Sequence, residues 1–243
     1  MTRTVPVALR SMSGTVDTLR SFQKPGAGVP AYTRWVNRYL GRYAAAAAFH
    51  LGLTANQVTL ISATLSVAGI ALLLLAPVVP LTGLLVSLLF VAGYALDSAD
   101  GQVARLSRTS SPAGEWLDHV IDAVRTPATH LAVLVALSRS EGTTWIQIIA
   151  IAYALLSVGL FMSQILAEQL TGKPVPLPGD ASAERRKSFL LLPTDTGTFC
   201  LMFVLWGFPS LFAIAYALMF GMNAVHTVIS MWRKYRKLTS LHR

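Results

Sequence analysis

The sequence predicts an all-α integral membrane protein: a bundle of six transmembrane helices preceded by an N-terminal interfacial amphipathic helix. Three observations carry this. Of the 243 residues, 53% are hydrophobic and only 13% charged, and the mean hydropathy is +0.55, whereas soluble domains carry roughly 25% charged residues. The 54 residues between Arg42 and Asp97 contain no Asp, Glu, Lys or Arg, nor do the 37 between Asp195 and Arg233, and one span needs roughly 20. Finally, 18 of the 20 Lys and Arg fall in segments that six spans would leave on one side. By the positive-inside rule that side is the cytoplasm, which puts both termini there. The same placement accounts for most of the +9 net charge without invoking nucleic acid. The single cysteine, Cys200, lies in an apolar run, so no disulfide framework or cysteine metal site is expected.

Residues 1–30 mix Arg, Ser, Thr, Gly and Pro with no sustained apolar period and no uninterrupted signal-type run, and they read as a mobile cytoplasmic arm. Residues 31–243 read as one membrane domain, beginning with the interfacial helix at about 31–50. There Tyr32, Trp35, Val36, Tyr39, Leu40 and Tyr43 repeat with helical period, opposite Arg34, Arg38 and Arg42. Aromatics facing the acyl boundary and cations facing lipid headgroups suit the membrane surface; the alternative is a helix packed on the protein itself. The first span follows Thr54, a fitting N-cap, and turns at Ala76–Gly83, where Pro77 and Pro80 punctuate the chain. The second ends near Asp97, and the third covers about 116–137. A fourth is expected at about 144–167, followed by a polar connection at 168–187 that contains Lys173, Arg185, Arg186 and Lys187. The fifth is expected from near Leu191, with Pro193 in its first turn. Gly207–Ser210 then forms an outer turn, and the sixth span ends near Trp232.

Between the second and third spans lie Asp97, Asp100, Asp118 and Asp122, at the membrane edge or inside it. Ionisable groups at that depth are costly and point to function. On one helix Asp97, Asp100, Gly101 and Ala104 share a face; on the next, Gly114, Asp118 and Asp122 do. Carboxylates beside residues with almost no side chain let a ligand approach the backbone. Several convergent hard oxygens suit Mg²⁺ or Mn²⁺, and two such ions can clamp a phosphoryl group. The alternative for the four carboxylates is mutual pairing with nearby arginines. Arg125, on the same stripe, reads either as a partner for a phosphate or as a structural pair for Asp122. His119, His130 and His226 read as packing or surface residues.

In order, the stretch is Asp-x2-Asp-Gly-x2-Ala-Arg-x8-Gly-x3-Asp-x3-Asp, its fixed places filled by Asp97, Asp100, Gly101, Ala104, Arg105, Gly114, Asp118 and Asp122. It resembles the signature of the CDP-alcohol phosphatidyltransferase family at every fixed position, over 26 residues. The resemblance implies an enzyme of phospholipid biosynthesis that transfers the phosphatidyl group of CDP-diacylglycerol, or part of a related CDP-alcohol, to a polar alcohol acceptor with release of CMP. Position by position it implies Asp97, Asp100, Asp118 and Asp122 as ligands of two Mg²⁺ or Mn²⁺ ions, with Asp122 also the general base. Gly101, Ala104, Arg105 and Gly114 would bind the CDP donor. Asn56 and Thr59 lie in a segment resembling the family's Pro-Asn-x-x-Thr element, with Ala55 in place of the proline; donor binding and helix capping account for them equally. Arg125, Lys173, Arg185, Arg186 and Asp195 are candidates for the acceptor, and the resemblance implies a homodimer. Two readings from other classes compete. An intramembrane prenyltransferase would take a prenyl diphosphate instead of a CDP-lipid, and a transporter would move a substrate across proteoliposomes without releasing CMP.

Overall fold

The computed structural model describes residues 11–23, 26–139, 144–172 and 180–240, which are helical with no strand among them. The helices are α1 (Met12–Ser21), α2 (Arg38–His50), α3 (Ala55–Leu75), α4 (Pro80–Ser107), α5 (Pro112–Leu137), α6 (Thr144–Thr171), α7 (Ala181–Leu190), α8 (Thr196–Met202) and α9 (Pro209–Ser240). A π-helical turn, Tyr32–Asn37, leads into α2, and 3₁₀ turns at Leu192–Thr194 and Phe203–Gly207 flank α8.

Among the described residues five helices are long and apolar enough to cross a membrane: α3, α4, α5, α6 and α9. The expectation of six long spans is corrected at the fifth. That segment is the short apolar stretch Thr196–Gly207, roughly 20 Å long at helical rises, against about 30 Å of hydrocarbon. The cause is local. The Asp195 side chain accepts from the Gly197 amide and starts α8 late. At the other end, Gly207 lies so close to Pro80 that a Cβ there would meet its backbone. The chain then restarts at Pro209 and gives the full length to α9, 32 residues. The short stretch packs along the N-terminal half of α4. Its Phe203 stacks edge-on against Phe90, and Trp206, Phe212 and Tyr216 fill the buried core beside it.

Small residues let α3 and α4 approach closely. A Cβ on Gly69 would strike the Phe90 ring, and one on Gly93 would meet Ser62 and Ser66. In membranes, where no hydrophobic force drives helices together, such contacts and interhelical hydrogen bonds supply the association. The Ser62 hydroxyl donates to Gly93 O at 2.8 Å. Asp97 lies seventeen residues along α4 from Pro80, about 26 Å at 1.5 Å per residue. The helix is therefore long enough to separate Pro80 from its carboxylates by most of the roughly 30 Å of a hydrocarbon core.

The N-terminal region differs from the mobile arm expected for residues 1–30. Residues 1–10 and 24–25 lie outside the described set, but α1 is a helix capped by Ser11, with Val16 and Leu19 buried against α2, α3 and α4. Thr15 bonds His50 at 3.1 Å, and Gln23 donates to Gln102 of α4 at 3.0 Å. Only three buried positions tie this helix down, too few to give a visible period. In the segment 31–50, Trp35, Val36, Tyr39, Leu40 and Tyr43 are exposed on the outer face. Ala31, Asn37, Gly41, Ala45, Ala46 and Ala48 face the protein. The arginines flank that face instead of opposing it. Arg34 donates to Ser188 of α7 at 3.1 Å and lies 3.9 Å from Glu184, while Trp35 stacks on Phe189 of the same helix.

Candidate active site

Helices α4 and α5 bring their carboxylates face to face. Asp97, Asp118 and Asp122 each place one oxygen within 4.8 Å of the others, a set of hard donors that fits a divalent cation. Asp100, on α4 with Asp97, is buried and lines the same cavity as Asp118. It accepts the Thr59 hydroxyl of α3 at 2.5 Å, a charge-assisted bond of the stronger kind. Arg125, one turn beyond Asp122, closes the cluster from behind: it donates to Asp97 at 3.1 Å and to Asp122, with Ser62 Oγ at 3.4 Å. Asp97 and Asp122 thus both converge on a neighbouring aspartate and pair with an arginine.

Asp118 of the trio and Asp100 line a cavity of about 760 Å³. Its walls are the start of α3, the end of α4, the loop 109–111, the start of α5, and Glu168 of α6. Every candidate for donor binding lines it: Asn56, Thr59, Gly101, Ala104, Arg105 and Gly114. Two helices begin at its edge. Thr54 and Gln57 cap α3 with a reciprocal capping box, and Ser111 caps α5 by accepting from Gly114 N at 3.1 Å. Helix N-termini carry positive partial charge and favour anions. Arg105 folds over Gly101, and its Nε is buried without a hydrogen-bond partner, a donor that a phosphate oxygen would satisfy. Gly114 lies against the Asn56 amide, 3.3 Å from where a Cβ would sit, which keeps this wall low. The cavity therefore joins an acidic pole, suited to cations, to a pole of helix N-termini and Arg105, suited to phosphate.

The described acceptor candidates fall in two places. Arg125 and Asp195 line a second cavity of about 160 Å³, together with Thr126, Thr129, His130 and Tyr153. Asp195 accepts from Thr33 N and Thr33 Oγ1, each at 2.8 Å, and from Gly197 N at 2.9 Å, so it clamps the π-helical turn to α8. Arg185, Arg186 and Lys187 are exposed on α7, and Lys173 lies outside the described residues.

Several neighbours escaped the sequence reading. His119, which reads as a packing or surface residue in sequence, lines the large cavity with its ring nitrogens 3.6 Å from Asp118 and 3.9 Å from Glu115; the i,i+4 spacing from Glu115 is the available signal. Glu168 arrives from α6, and nothing in its local sequence marks it. Ser62 is one turn from Thr59 on α3. His130 is a core residue, buried, with Nδ1 2.7 Å from the Tyr216 hydroxyl and its ring stacked on Tyr153.

A family model described as CDP-alcohol phosphatidyltransferase matches residues 52–232, about three quarters of the chain. The matched stretch runs from the start of α3 into α9 and contains both cavities' principal walls. No curated protein matches the chain.

Proposed function

The chain belongs to the CDP-alcohol phosphatidyltransferase family, and on that footing we propose that it is a membrane phosphatidyltransferase of phospholipid synthesis. Its donor is CDP-diacylglycerol or a related CDP-alcohol, its acceptor is the hydroxyl of a polar alcohol, and CMP is released. One observation carries this reading: Asp118, whose oxygen converges with those of Asp97 and Asp122, and Asp100 line a cavity that is also walled by two helix N-termini and Arg105. A nucleotide diphosphate needs both poles. The acceptor oxygen attacks the phosphorus bearing the lipid, the bond to the CMP phosphate oxygen breaks, and the electron pair leaves with CMP. Asp122 receives the proton of the attacking hydroxyl, as a general base. Asp97, Asp100, Asp118 and Asp122 would hold Mg²⁺ or Mn²⁺, and two such ions would supply the positive charge that neutralises the diphosphate. Arg105 and the amides at the α5 N-terminus hold the nucleotide phosphates. Gly101, Ala104, Gly114, Asn56 and Thr59 shape the surface that the nucleotide lies on, and Thr59 also fixes the Asp100 carboxylate.

The catalytic face belongs to the cytoplasmic side, on the distribution of Lys and Arg. The short stretch Thr196–Gly207 acts as a sixth, abbreviated crossing, which keeps both termini on that side. The exposed aromatic face at 35–43 lies in the lipid interface. The deciding experiment is CMP release from CDP-diacylglycerol by the purified protein, run across a panel of polar alcohols. CMP formed only when an alcohol is present supports the reading. Turnover of a prenyl diphosphate, or substrate flux in proteoliposomes without CMP, refutes it.

A further inference from the structure

Arg125 has two environments within reach. On one side its guanidinium bonds Asp97 and Asp122, two of the three carboxylates that converge as a candidate metal site. On the other side it forms part of the wall of the 160 Å³ cavity. The helical stripe explains the adjacency: Asp118, Asp122, Arg125, Thr126 and Thr129 fall at i, i+4, i+7, i+8 and i+11 along α5, so the cavity begins one turn past the cluster. A divalent ion bound by carboxylates sits roughly 2.0–2.1 Å from their oxygens if it is Mg²⁺. A guanidinium at contact distance from the same two side chains would face that ion across the ligand oxygens, with like charge and little water to screen it. The two cations therefore compete. The cavity offers the displaced one a place. Its walls carry Asp195, which accepts three protein hydrogen bonds, whereas a carboxylate has about four acceptor sites. Ser66, Thr126 and Thr129 add hydroxyl groups.

We propose that Arg125 is an exchangeable counter-cation of the carboxylate cluster. It holds Asp97 and Asp122 together until a divalent ion binds, and then withdraws toward the cavity on its far side. This rests on the metal-site reading of Asp97, Asp118 and Asp122. Its consequence is that the site assembles without mutual repulsion of its acids, at the expense of intrinsic metal affinity. An arginine serving only to anchor α5 would have the opposite effect, because its loss would loosen the ligands and weaken the ion. The test has two arms, both on the full-length protein in detergent. In the first, free Mn²⁺ is followed by electron paramagnetic resonance for the unmodified protein and for Arg125→Gln. The variant is expected to bind Mn²⁺ about ten-fold more tightly or better, the scale of a lost close charge pair. In the second, phenylglyoxal modification of the unmodified protein is mapped by mass spectrometry, and labelling at Arg125 is expected to rise when Mn²⁺ is added. Equal or weaker Mn²⁺ binding by the variant overturns the exchange, and so does labelling that Mn²⁺ leaves unchanged or reduces. Should the variant fail to fold, the labelling arm decides alone. Failure of both proteins to bind Mn²⁺ would instead overturn the metal site, and the exchange with it.

Discussion

Replacing Asp122 by Asn removes a base and leaves a side chain of almost the same shape. Asp122 is about a quarter exposed and shares Arg125 with Asp97, which remains 3.1 Å from the guanidinium. The substitution thus costs one charge-assisted hydrogen bond, about 1.5–3 kcal/mol of stability, while α5 stays tethered through Asp97. Catalysis should suffer more. Base catalysis contributes roughly 10²–10⁴-fold, equivalent to about 2.7–5.5 kcal/mol of barrier. Asp97→Asn is the control, because it breaks the other half of the same arginine pair without touching the proposed base. The assay is single-turnover CMP release from CDP-diacylglycerol at saturating acceptor and metal, with donor affinity measured separately. Asp122→Asn should lose at least two orders of magnitude in the chemical step and still bind donor with reduced affinity. Asp97→Asn should instead weaken metal and donor binding together and recover in part at higher metal. If Asp122→Asn turned over within ten-fold of the unmodified protein, the proton must leave by another route and the assignment of the base is wrong.

Chelation should abolish CMP release and lower the melting temperature, and Mg²⁺ or Mn²⁺ should restore both; activity in excess chelator would count against the trio as a metal site. Thr59→Val leaves the buried Asp100 without its 2.5 Å partner, so CDP-donor affinity should fall roughly 10–100-fold, following the 1.5–3 kcal/mol scale of such a bond; unchanged affinity would mean that Thr59 serves only α3. A membrane-impermeant thiol reagent should label Arg139→Cys from outside and Ser107→Cys from inside, in a protein whose Cys200 is buried. The reverse pattern would turn the catalytic face outward. Arg34→Glu should lower thermal stability by about 1 kcal/mol or less, because the pair with Glu184 is long and partly exposed. The double exchange with Glu184→Arg should regain part of that loss if the ion pair, and not the Ser188 bond, holds α7.

Hydropathy made most of the bundle legible because the long helices obey one simple requirement, that of satisfying their backbone inside lipid. The turn near Pro77 and Pro80, the cap at Thr54 and the lengths of α3 to α6 all follow from it. The fifth span is less legible. The 37-residue apolar run is short for two spans, and starting the fifth near Leu191 makes room for both, yet Gly207 fits closely against Pro80 and Asp195 is held by Thr33, a partner 162 residues away. Those contacts shorten α8, and no local pattern carries them. The 31–50 segment shows a similar limit. Its aromatic stripe is exposed, but the face against the protein is built of Ala and Gly with Asn37, which carry little weight in a hydrophobic stripe.

The acidic stretch was legible as a motif because helical spacing alone puts Asp97 with Asp100 and Asp118 with Asp122. It does not say which carboxylates meet. Asp100 shares its face with Asp97 in sequence, and nothing local foretells that α3 brings Thr59 to it. The opposite pole was less visible still, since a capped helix N-terminus is electrostatically positive but contains no cationic residue. At Ser111 and Thr54 the positive potential comes from backbone amides, and Arg105 is the one motif cation on that wall. This division has a physical advantage for the proposed reaction. Lysines crowded beside Asp97, Asp118 and Asp122 would pair with them and compete with metal. Fixed amide dipoles cannot swing across to do so, and they remain available to the leaving phosphate of CMP while the carboxylates keep their own partners. Arg125 is the exception, a cation bonded directly to the acids, and in the proposed exchange the cavity it also lines is what would let it step aside.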